Sequence, residues 1–124
     1  MLAALLAAAV ACRPSDPLKL ETIQLGRSIN PDGSVGLHTT TFKPTDTIYV
    51  SVLTTAAGAG TIGVKWIYAS RVVGEPKKNV SYREPRATEF HLANSGGFPP
   101  GDYSVEAFID GVSVGKRAFR VDKK

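Results

Sequence analysis

The chain has 124 residues, of which 43% are hydrophobic and 21% are charged, and its formal net charge is +4 at pH 7. This length suits one domain with a modest core and leaves no room for a separate catalytic domain. A basic excess this small is common among domains of this size, so it argues against a charge-driven partner, and no nucleic-acid binding is expected.

An apolar run of small residues opens the chain from Leu2 to Ala11, and it ends at Cys12, which is the only cysteine. Such a run is long enough for the hydrophobic region of a signal peptide but too short for a helix that crosses a bilayer. The run and its cysteine resemble the end of a bacterial lipoprotein signal peptide, in which the cysteine is lipidated and becomes the new N-terminus. The resemblance implies a signal peptide over residues 1–11 and a membrane-anchored protein of the bacterial cell envelope, facing the periplasm or the cell surface. Ordinary secretory cleavage and a cytosolic protein with an apolar N-terminus are the alternatives.

A short tether is predicted after Cys12, because residues 13–17 read Arg-Pro-Ser-Asp-Pro and two prolines among polar residues neither join a sheet nor continue a helix. Residues 12–17 are therefore the lipidated cysteine and its tether, and residues 18–124 are the folded domain. Lipidation of Cys12 leaves no cysteine for a disulfide, so the core alone must hold the fold although the compartment is oxidising.

Eight β-rich runs separated by turn residues follow the tether. Strict alternation, as in residues 48–52 (Ile-Tyr-Val-Ser-Val), predicts strands with one buried face and one wetter face. The pair Asp110-Gly111 predicts a tight hairpin between the last two runs, because both turn positions favour positive φ. Eight strands and no convincing helix predict an all-β sandwich or barrel. The predicted strands are 18–25, 35–42, 47–55, 61–70, 80–83, 88–92, 102–109 and 112–121.

Residues 99–103 (Pro-Pro-Gly-Asp-Tyr) resemble the tyrosine corner of immunoglobulin-like sandwiches, in which a tyrosine hydrogen-bonds back to the loop before its strand. Trp66 follows Val52 at a spacing that suits the core tryptophan of the same fold. The resemblance implies an immunoglobulin-like antiparallel β-sandwich of about 7–8 strands. It also implies that Tyr103 forms the corner and that Val52, Trp66 and Val105 form an apolar core pin. Function does not follow from it, because this sandwich hosts adhesins, chaperones, linkers and binding modules.

Several residues imitate catalytic or metal-binding motifs. Residues 58–63 match G-x-G-x-x-G, but strand-like residues follow where a dinucleotide site needs a helix, so we expect a flexible loop. Residues 113–116 match S-x-x-K, but we expect a strand to place Ser113 and Lys116 on opposite faces. His38 and His91 lack the converging ligands that zinc requires. We therefore expect no metal, no cofactor and no enzyme, and a hydrolase is the least favoured class.

Two groups of surface residues are candidate binding sites. A basic rim is expected on the middle of the sandwich, where it either protects an edge strand or binds an anionic partner. Ile67 and Phe108 are expected side by side on an outward sheet face, as an apolar patch for a partner. The leading hypothesis is a non-enzymatic, lipid-anchored envelope protein whose immunoglobulin-like domain contacts another envelope protein. The alternative is a periplasmic binding or sensing module for a glycan or an anionic polymer. The residues of the basic rim are Arg71, Lys77, Lys78, Arg83 and Arg86.

Overall fold

The structure is a computed structural model that describes residues 17–124. The predicted signal peptide and the lipidation at Cys12 lie outside these residues. The described part of the chain consists of strands and their connections, and it contains no helix with the length and hydrophobicity needed to cross a bilayer. The strands are β1 (Leu20–Ile29), β2 (Val35–His38), β3 (Thr41–Phe42), β4 (Ile48–Thr54), β5 (Gly58–Tyr68), β6 (Arg71–Gly74), β7 (Lys77–Tyr82), β8 (Arg86–Leu92), β9 (Gly101–Ile109) and β10 (Val112–Val121).

The strands form two sheets that enclose one hydrophobic core. The smaller sheet has the order β2-β1-β4-β8, with antiparallel neighbours throughout. The larger sheet has the order β3-β10-β9-β5, and both β6 and β7 pair with the remaining side of β5. β3 joins this sheet by pairing in parallel with the end of β10. The predicted all-β sandwich is confirmed.

Alternating residues of three strands supply the centre of the core. Ile48, Val50 and Val52 on β4 are fully buried, and across the sandwich β5 and β9 bury Trp66 and Val105, which are cross-strand partners. Burial of a branched aliphatic side chain contributes about 1.5–3 kcal/mol relative to leaving it in water. Stripes of this kind on both sheets therefore hold the sandwich by apolar packing.

Tyr103 fixes the loop that precedes β9. Its hydroxyl donates a hydrogen bond to the Pro99 carbonyl oxygen at 2.6 Å, which is the contact that a tyrosine corner makes. Its ring stacks on Tyr68 and on Phe119, at centroid distances of 4.4 and 5.3 Å. Burial raises the pKa of Tyr103 to about 12, and the nearby Tyr68 adds to the increase. The phenol is therefore neutral in the folded protein at physiological pH.

Two turns that the sequence predicts, at Asp110-Gly111 and at residues 30–33, carry residues with positive φ. Asp110 and Gly111 join β9 to β10 with φ values of 51° and 83°. The turn at residues 30–33 joins β1 to β2 and brings the Gly33 carbonyl oxygen within 2.5 Å of the Ser51 hydroxyl, which donates to it. Ser51 is fully buried by this contact, although alternation along β4 predicts a wetter position.

The structure differs from the prediction in three places. The predicted strand 35–42 divides into β2 and β3, because the Thr39 hydroxyl bonds to both the amide and the carbonyl of Thr41 and turns the chain. β6 is an additional strand that pairs with the end of β5. Residues 58–63, predicted to be a flexible loop, form the first half of β5.

Glycines in this half of β5 allow close packing rather than flexibility. β7 pairs with residues 58–63 along their whole length. On the other side, the Asp110 carboxylate accepts a hydrogen bond from the Thr61 amide at 2.9 Å. A Cβ at Gly60 would lie only 2.8 Å from that carboxylate, so a side chain there would displace it. The glycine pattern thus reflects a strand with near neighbours.

Candidate functional site

The described chain enters the sandwich at one end. Pro17 lies beside Ala59 in a parallel bridge at the start of β5. This end, which we call the proximal end, also holds the β9–β10 turn and the connection from β7 to β8. The distal end is where β5 and β8 finish, at Tyr68 and Leu92. A strand rises about 3.3 Å per residue, so about 30 Å separate the two ends along β5.

β6 and β7 together form an edge of the larger sheet, since both pair with β5 and no strand among residues 17–124 pairs with their other side. Glu75 and Pro76 lie between them, and the Pro76 carbonyl oxygen accepts a hydrogen bond from the Val64 amide at 3.1 Å. We call β7 the closed half of this edge and β6 the open half. The two halves differ in how they face β8, the nearest strand of the other sheet.

Long side chains seal the closed half. The Lys78 ammonium donates a hydrogen bond to the Glu89 carbonyl oxygen on β8 at 2.5 Å and lies 5.0 Å from the centroid of the Phe90 ring. The hydroxyls of Tyr82 and Thr88 share a hydrogen bond of 2.6 Å across the same gap. The edges of the two sheets are therefore tied together at the proximal end and along the middle.

The open half leaves this gap accessible at the distal end. Val72 and Val73 on β6 are 47% and 45% exposed, although both are apolar. Beside them lies a cleft of about 290 Å³ that reaches the aromatic residues under the tyrosine corner. Its lining includes Tyr68, Val73, Leu92, Phe98 and Tyr103. This half thus combines an edge strand with an apolar cleft.

The predicted basic rim is wrong as a single surface. Lys78 is engaged with β8, and Arg86 pairs with a neighbouring glutamate at 3.6 Å. Arg83 lies at the proximal end, whereas Arg71 lies at the distal start of β6. Lys77 faces the outer side of the larger sheet, because adjacent residues of a strand point to opposite faces. The contacts of Lys78 fit the alternative of edge protection, because its ammonium donates a hydrogen bond to a carbonyl oxygen on the edge strand β8.

The predicted apolar patch is also wrong. In the pairing of β5 with β9, Phe108 lies opposite Gly63 and Ile67 lies opposite Ser104. Four positions on β5 separate them, which is about 13 Å. Both side chains face outward but are only partly exposed, and the Lys65 ammonium lies 4.9 Å from the Phe108 ring centroid.

Phe108 and Lys77 instead meet in a groove on the outer face of the larger sheet, which we call the Gly63 groove. Its volume is about 560 Å³, and the buried backbone of Gly63 lies at its floor. A Cβ at this position would lie 3.1 Å from Lys77 Cγ and 3.3 Å from the Pro76 carbonyl oxygen, so the glycine keeps the floor low. Its other charged lining residues are Lys65, Glu75 and Asp110.

Ser113 and Lys116 lie on the same face of β10, contrary to the prediction. The register with β9 shifts between Ser113 and Gly115, so that Ser113 pairs with Phe108 and Lys116 pairs with Glu106. A β-bulge adds one residue to a strand and reverses the expected alternation beyond it. The Ser113 hydroxyl donates to the Glu106 carboxylate at 2.6 Å, on an exposed surface.

The two histidines lie on strands of the smaller sheet. His91 Nδ1 and Glu89 Oε2 share a hydrogen bond of 2.7 Å, and the His91 ring lies 5.7 Å from that of Tyr49. His38 is exposed at the end of β2. Across residues 17–124, no three His, Cys, Asp or Glu side chains are grouped to hold a metal ion.

Comparison with known proteins identifies the architecture. No family model matches the chain, and no curated protein matches it significantly. A solved immunoglobulin-like protein from Pseudomonas aeruginosa matches with a TM-score of 0.55 at 8% identity, over 86% of this chain and 97% of its own. The fold is immunoglobulin-like.

Two larger solved proteins match this chain over part of their own length. A β-glucosidase from Listeria innocua in complex with glucose matches with a TM-score of 0.52 at 14% identity, over 87% of this chain and 16% of its own. An alkylpurine DNA glycosylase from Pseudomonas fluorescens, bound to DNA containing an abasic site analogue, matches with a TM-score of 0.51 at 9% identity, over 86% of this chain and 30% of its own. At these identities the likeness concerns the fold alone.

The sequence pattern does not mark Val72, Val73 or Gly63 as part of a surface site. Ala69 and Ser70 form the turn before β6 with φ values of 50° and 65°. This turn has the positive φ values of a two-residue hairpin but lacks the Asn-Gly or Asp-Gly pair that announces one. The sequence therefore gives no turn signal for the short strand β6. Its only indication is the apolar pair Val72-Val73, immediately before Gly-Glu-Pro.

Proposed function

We propose that this protein is a lipid-anchored, non-enzymatic module of the bacterial cell envelope, which contacts another envelope protein through the open half of its sheet edge. The observation that carries the proposal is the arrangement of the two ends. Pro17 marks chain entry at the proximal end, whereas Val72 and Val73 are exposed at the distal end. An anchored sandwich would therefore hold its apolar edge away from the membrane.

The anchor follows from Cys12 and the length of the tether. Residues 12–17 span at most about 18 Å when fully extended. A lipidated Cys12 would keep the proximal end close to the bilayer surface, with the open half about 30 Å farther out along β5. Because one acyl chain binds a membrane only marginally, stable attachment requires more than one chain on the cysteine.

The contact that suits the open half is strand addition. A partner segment in extended conformation would continue the larger sheet beside β6, with backbone hydrogen bonds supplying affinity and alternate side chains reaching the cleft. The open half carries one charged residue, Arg71, and no acidic residue. An extended segment with an acidic residue near Arg71 and an apolar residue for the cleft is therefore the complementary partner.

The group that most resembles catalytic machinery is Ser113 with Glu106 and Lys116. It lies on an exposed sheet face rather than in a cleft. Water there weakens the electrostatic stabilisation of a transition state, which is usually the largest contribution to catalysis. This exposure supports a binding role for the protein rather than a catalytic one.

Mass spectrometry of the mature N-terminus tests the anchor. We expect a lipidated Cys12 in the wild type and release of Cys12→Ala from the membrane fraction. An unmodified Cys12, or membrane attachment that survives Cys12→Ala, would refute the anchoring part of the proposal.

Co-purification from solubilised membranes tests the contact. A double variant, Val72→Lys with Val73→Lys, is expected to lose a partner that the wild type retains, because charged residues on an edge strand oppose strand addition. Lys77→Ala, on the same edge but in the closed half, is the matched control and should retain the partner. A partner retained equally by all three proteins would show that the contact lies elsewhere.

A further inference from the structure

We infer that the Gly63 groove binds a neutral sugar ring of an oligosaccharide. This site is separate from the proposed protein contact, because it lies on the outer face of the larger sheet whereas the open half is a sheet edge at the distal end. The groove therefore gives the protein a second, independent ligand class.

The shape of the groove comes from one missing side chain. Outward positions of β5 carry Thr61 and Lys65 on either side of Gly63, so the sheet face is depressed between them. The cross-strand neighbours of Gly63 are Lys77 on β7 and Phe108 on β9, and they form the two walls. The two walls stand on the strands that flank β5, about 9.5 Å apart, which suits a sugar ring lying along the sheet.

One wall offers an apolar surface that a ligand can occupy. The Phe108 ring is partly exposed, and the Lys65 ammonium lies over it at 4.9 Å from the centroid. A cation–π contact at a solvent-exposed site is weak. The C–H face of a sugar ring can therefore replace Lys65 on the aromatic ring, and the released ammonium becomes a hydrogen-bond donor at the rim.

The charges around the groove favour a neutral ligand. Lys65 and Lys77 supply donors, and Glu75 and Asp110 supply acceptors, so the rim has no net charge. Asp110 is held in place by the Thr61 amide at 2.9 Å. A sugar hydroxyl both donates and accepts hydrogen bonds, so one ring can bind the lysines and the carboxylates together. An anionic polymer would instead meet two carboxylates.

Amide NMR of the full chain carrying Cys12→Ser, titrated with maltotriose, cellotriose and chitotriose, tests the inference. We expect at least one of these sugars to give saturable shifts at the amides of Gly63, Lys65 and Gly111, with a dissociation constant in the millimolar range. Phe108→Ala should weaken that binding at least about tenfold, and Glu75→Gln should weaken it less, because the first removes the apolar wall and the second removes one acceptor.

Lys116→Gln is the matched control, because Lys116 is exposed on the same sheet face but does not line the groove. It should bind as the wild type does, and thermal unfolding of each variant will show that the sandwich is intact. Absence of saturable shifts with all three sugars would overturn the inference. Salt-sensitive binding of polyphosphate at Lys77, or binding of an extended peptide in the groove, with no sugar binding, would overturn it as well. None of these results depends on the proposed contact at β6.

Discussion

The two halves of the β6–β7 edge border the same gap between the sheets, but only the closed half covers it. In the closed half, Lys78 and Tyr82 reach across to β8 and cover Phe90. In the open half, Val73 remains exposed beside a cleft, and Val72 is exposed on the outer face of the sheet opposite Ile67. Long side chains can therefore replace a missing strand in closing the side of a small sandwich. Where those side chains stop, an apolar surface is left exposed.

The largest expected effect compares two residues of β8, Phe90 beside the closed half and Leu92 beside the open half. Phe90→Ala should lower the free energy of unfolding by about 3–5 kcal/mol, because it removes a buried ring beneath Lys78 and leaves a cavity. Leu92→Ala, at the cleft and only partly buried, should lower it by about 2 kcal/mol or less. Urea unfolding followed by tryptophan fluorescence measures both. Equal losses would show that the two halves are equally closed.

Tyr103 provides the next effect, at the inner end of the open cleft. Tyr103→Phe should cost about 1–1.5 kcal/mol, because it removes the hydrogen bond to the Pro99 carbonyl oxygen but keeps the ring stacking. The same urea titration measures this loss, with Tyr49→Phe as a control on the other sheet. A loss no larger than that of the control would contradict the corner role of the hydroxyl.

The pKa of Tyr103 predicts a pH dependence. Its folded value of about 12 lies above the ordinary value of 10.0, because burial disfavours the charged phenolate. The resulting stability is fully present below pH 10 and is lost as the pH rises from about 10 to about 12, since only the unfolded chain ionises at first. Thermal unfolding across this range should therefore show a smaller decline for Tyr103→Phe than for the wild type. Parallel declines in the two proteins would contradict the assignment.

Lys78→Ala should open the closed half at a modest cost. The Lys78 side chain is 47% exposed, so its contacts with Glu89 and Phe90 are screened by water, and we expect a loss of about 0.5–1 kcal/mol. Hydrogen exchange should quicken at the amides of β8 in this variant, because the Lys78 contact that restrains this edge strand is lost. Lys77→Ala should leave both stability and exchange unchanged. Identical behaviour of the two variants would remove the distinction between them.

The smallest effect on stability is expected in the open half. Val73→Lys should change the free energy of unfolding by less than about 0.5 kcal/mol, because the side chain is 45% exposed. Its effect should appear instead in partner retention. A large loss of stability would show that Val73 supports the fold, and the open half would then be structural.

Alternation along the chain predicts which side chains enter the core but not how strands align. Val52, Trp66 and Val105 have the burial that their positions predict. The failed patch of Ile67 and Phe108 has a different origin, because two residues on the correct faces need the register between β5 and β9 before their distance is known. Register depends on the pairing of many residues at once.

Bulges and turns limited the prediction of the surface sites. The bulge before Gly115 places Ser113 and Lys116 on one face, and the sequence pattern around it does not predict a bulge. The turn at Ala69 and Ser70 lacks typical turn residues, so β6 and the open half could not be predicted from the sequence. Gly63 stood in a glycine-rich string, which suggested flexibility, whereas its role is to permit close neighbours within a strand.

Photocrosslinking in intact cells tests most directly whether a partner docks on the open half. A photoreactive amino acid would replace Val73 in the open half or, as the matched position, Ser81, which is exposed in the closed half. We predict a discrete crosslinked product of higher mass from position 73 and none from position 81. Equal crosslinking from both positions, or a product from position 81 alone, would contradict the account.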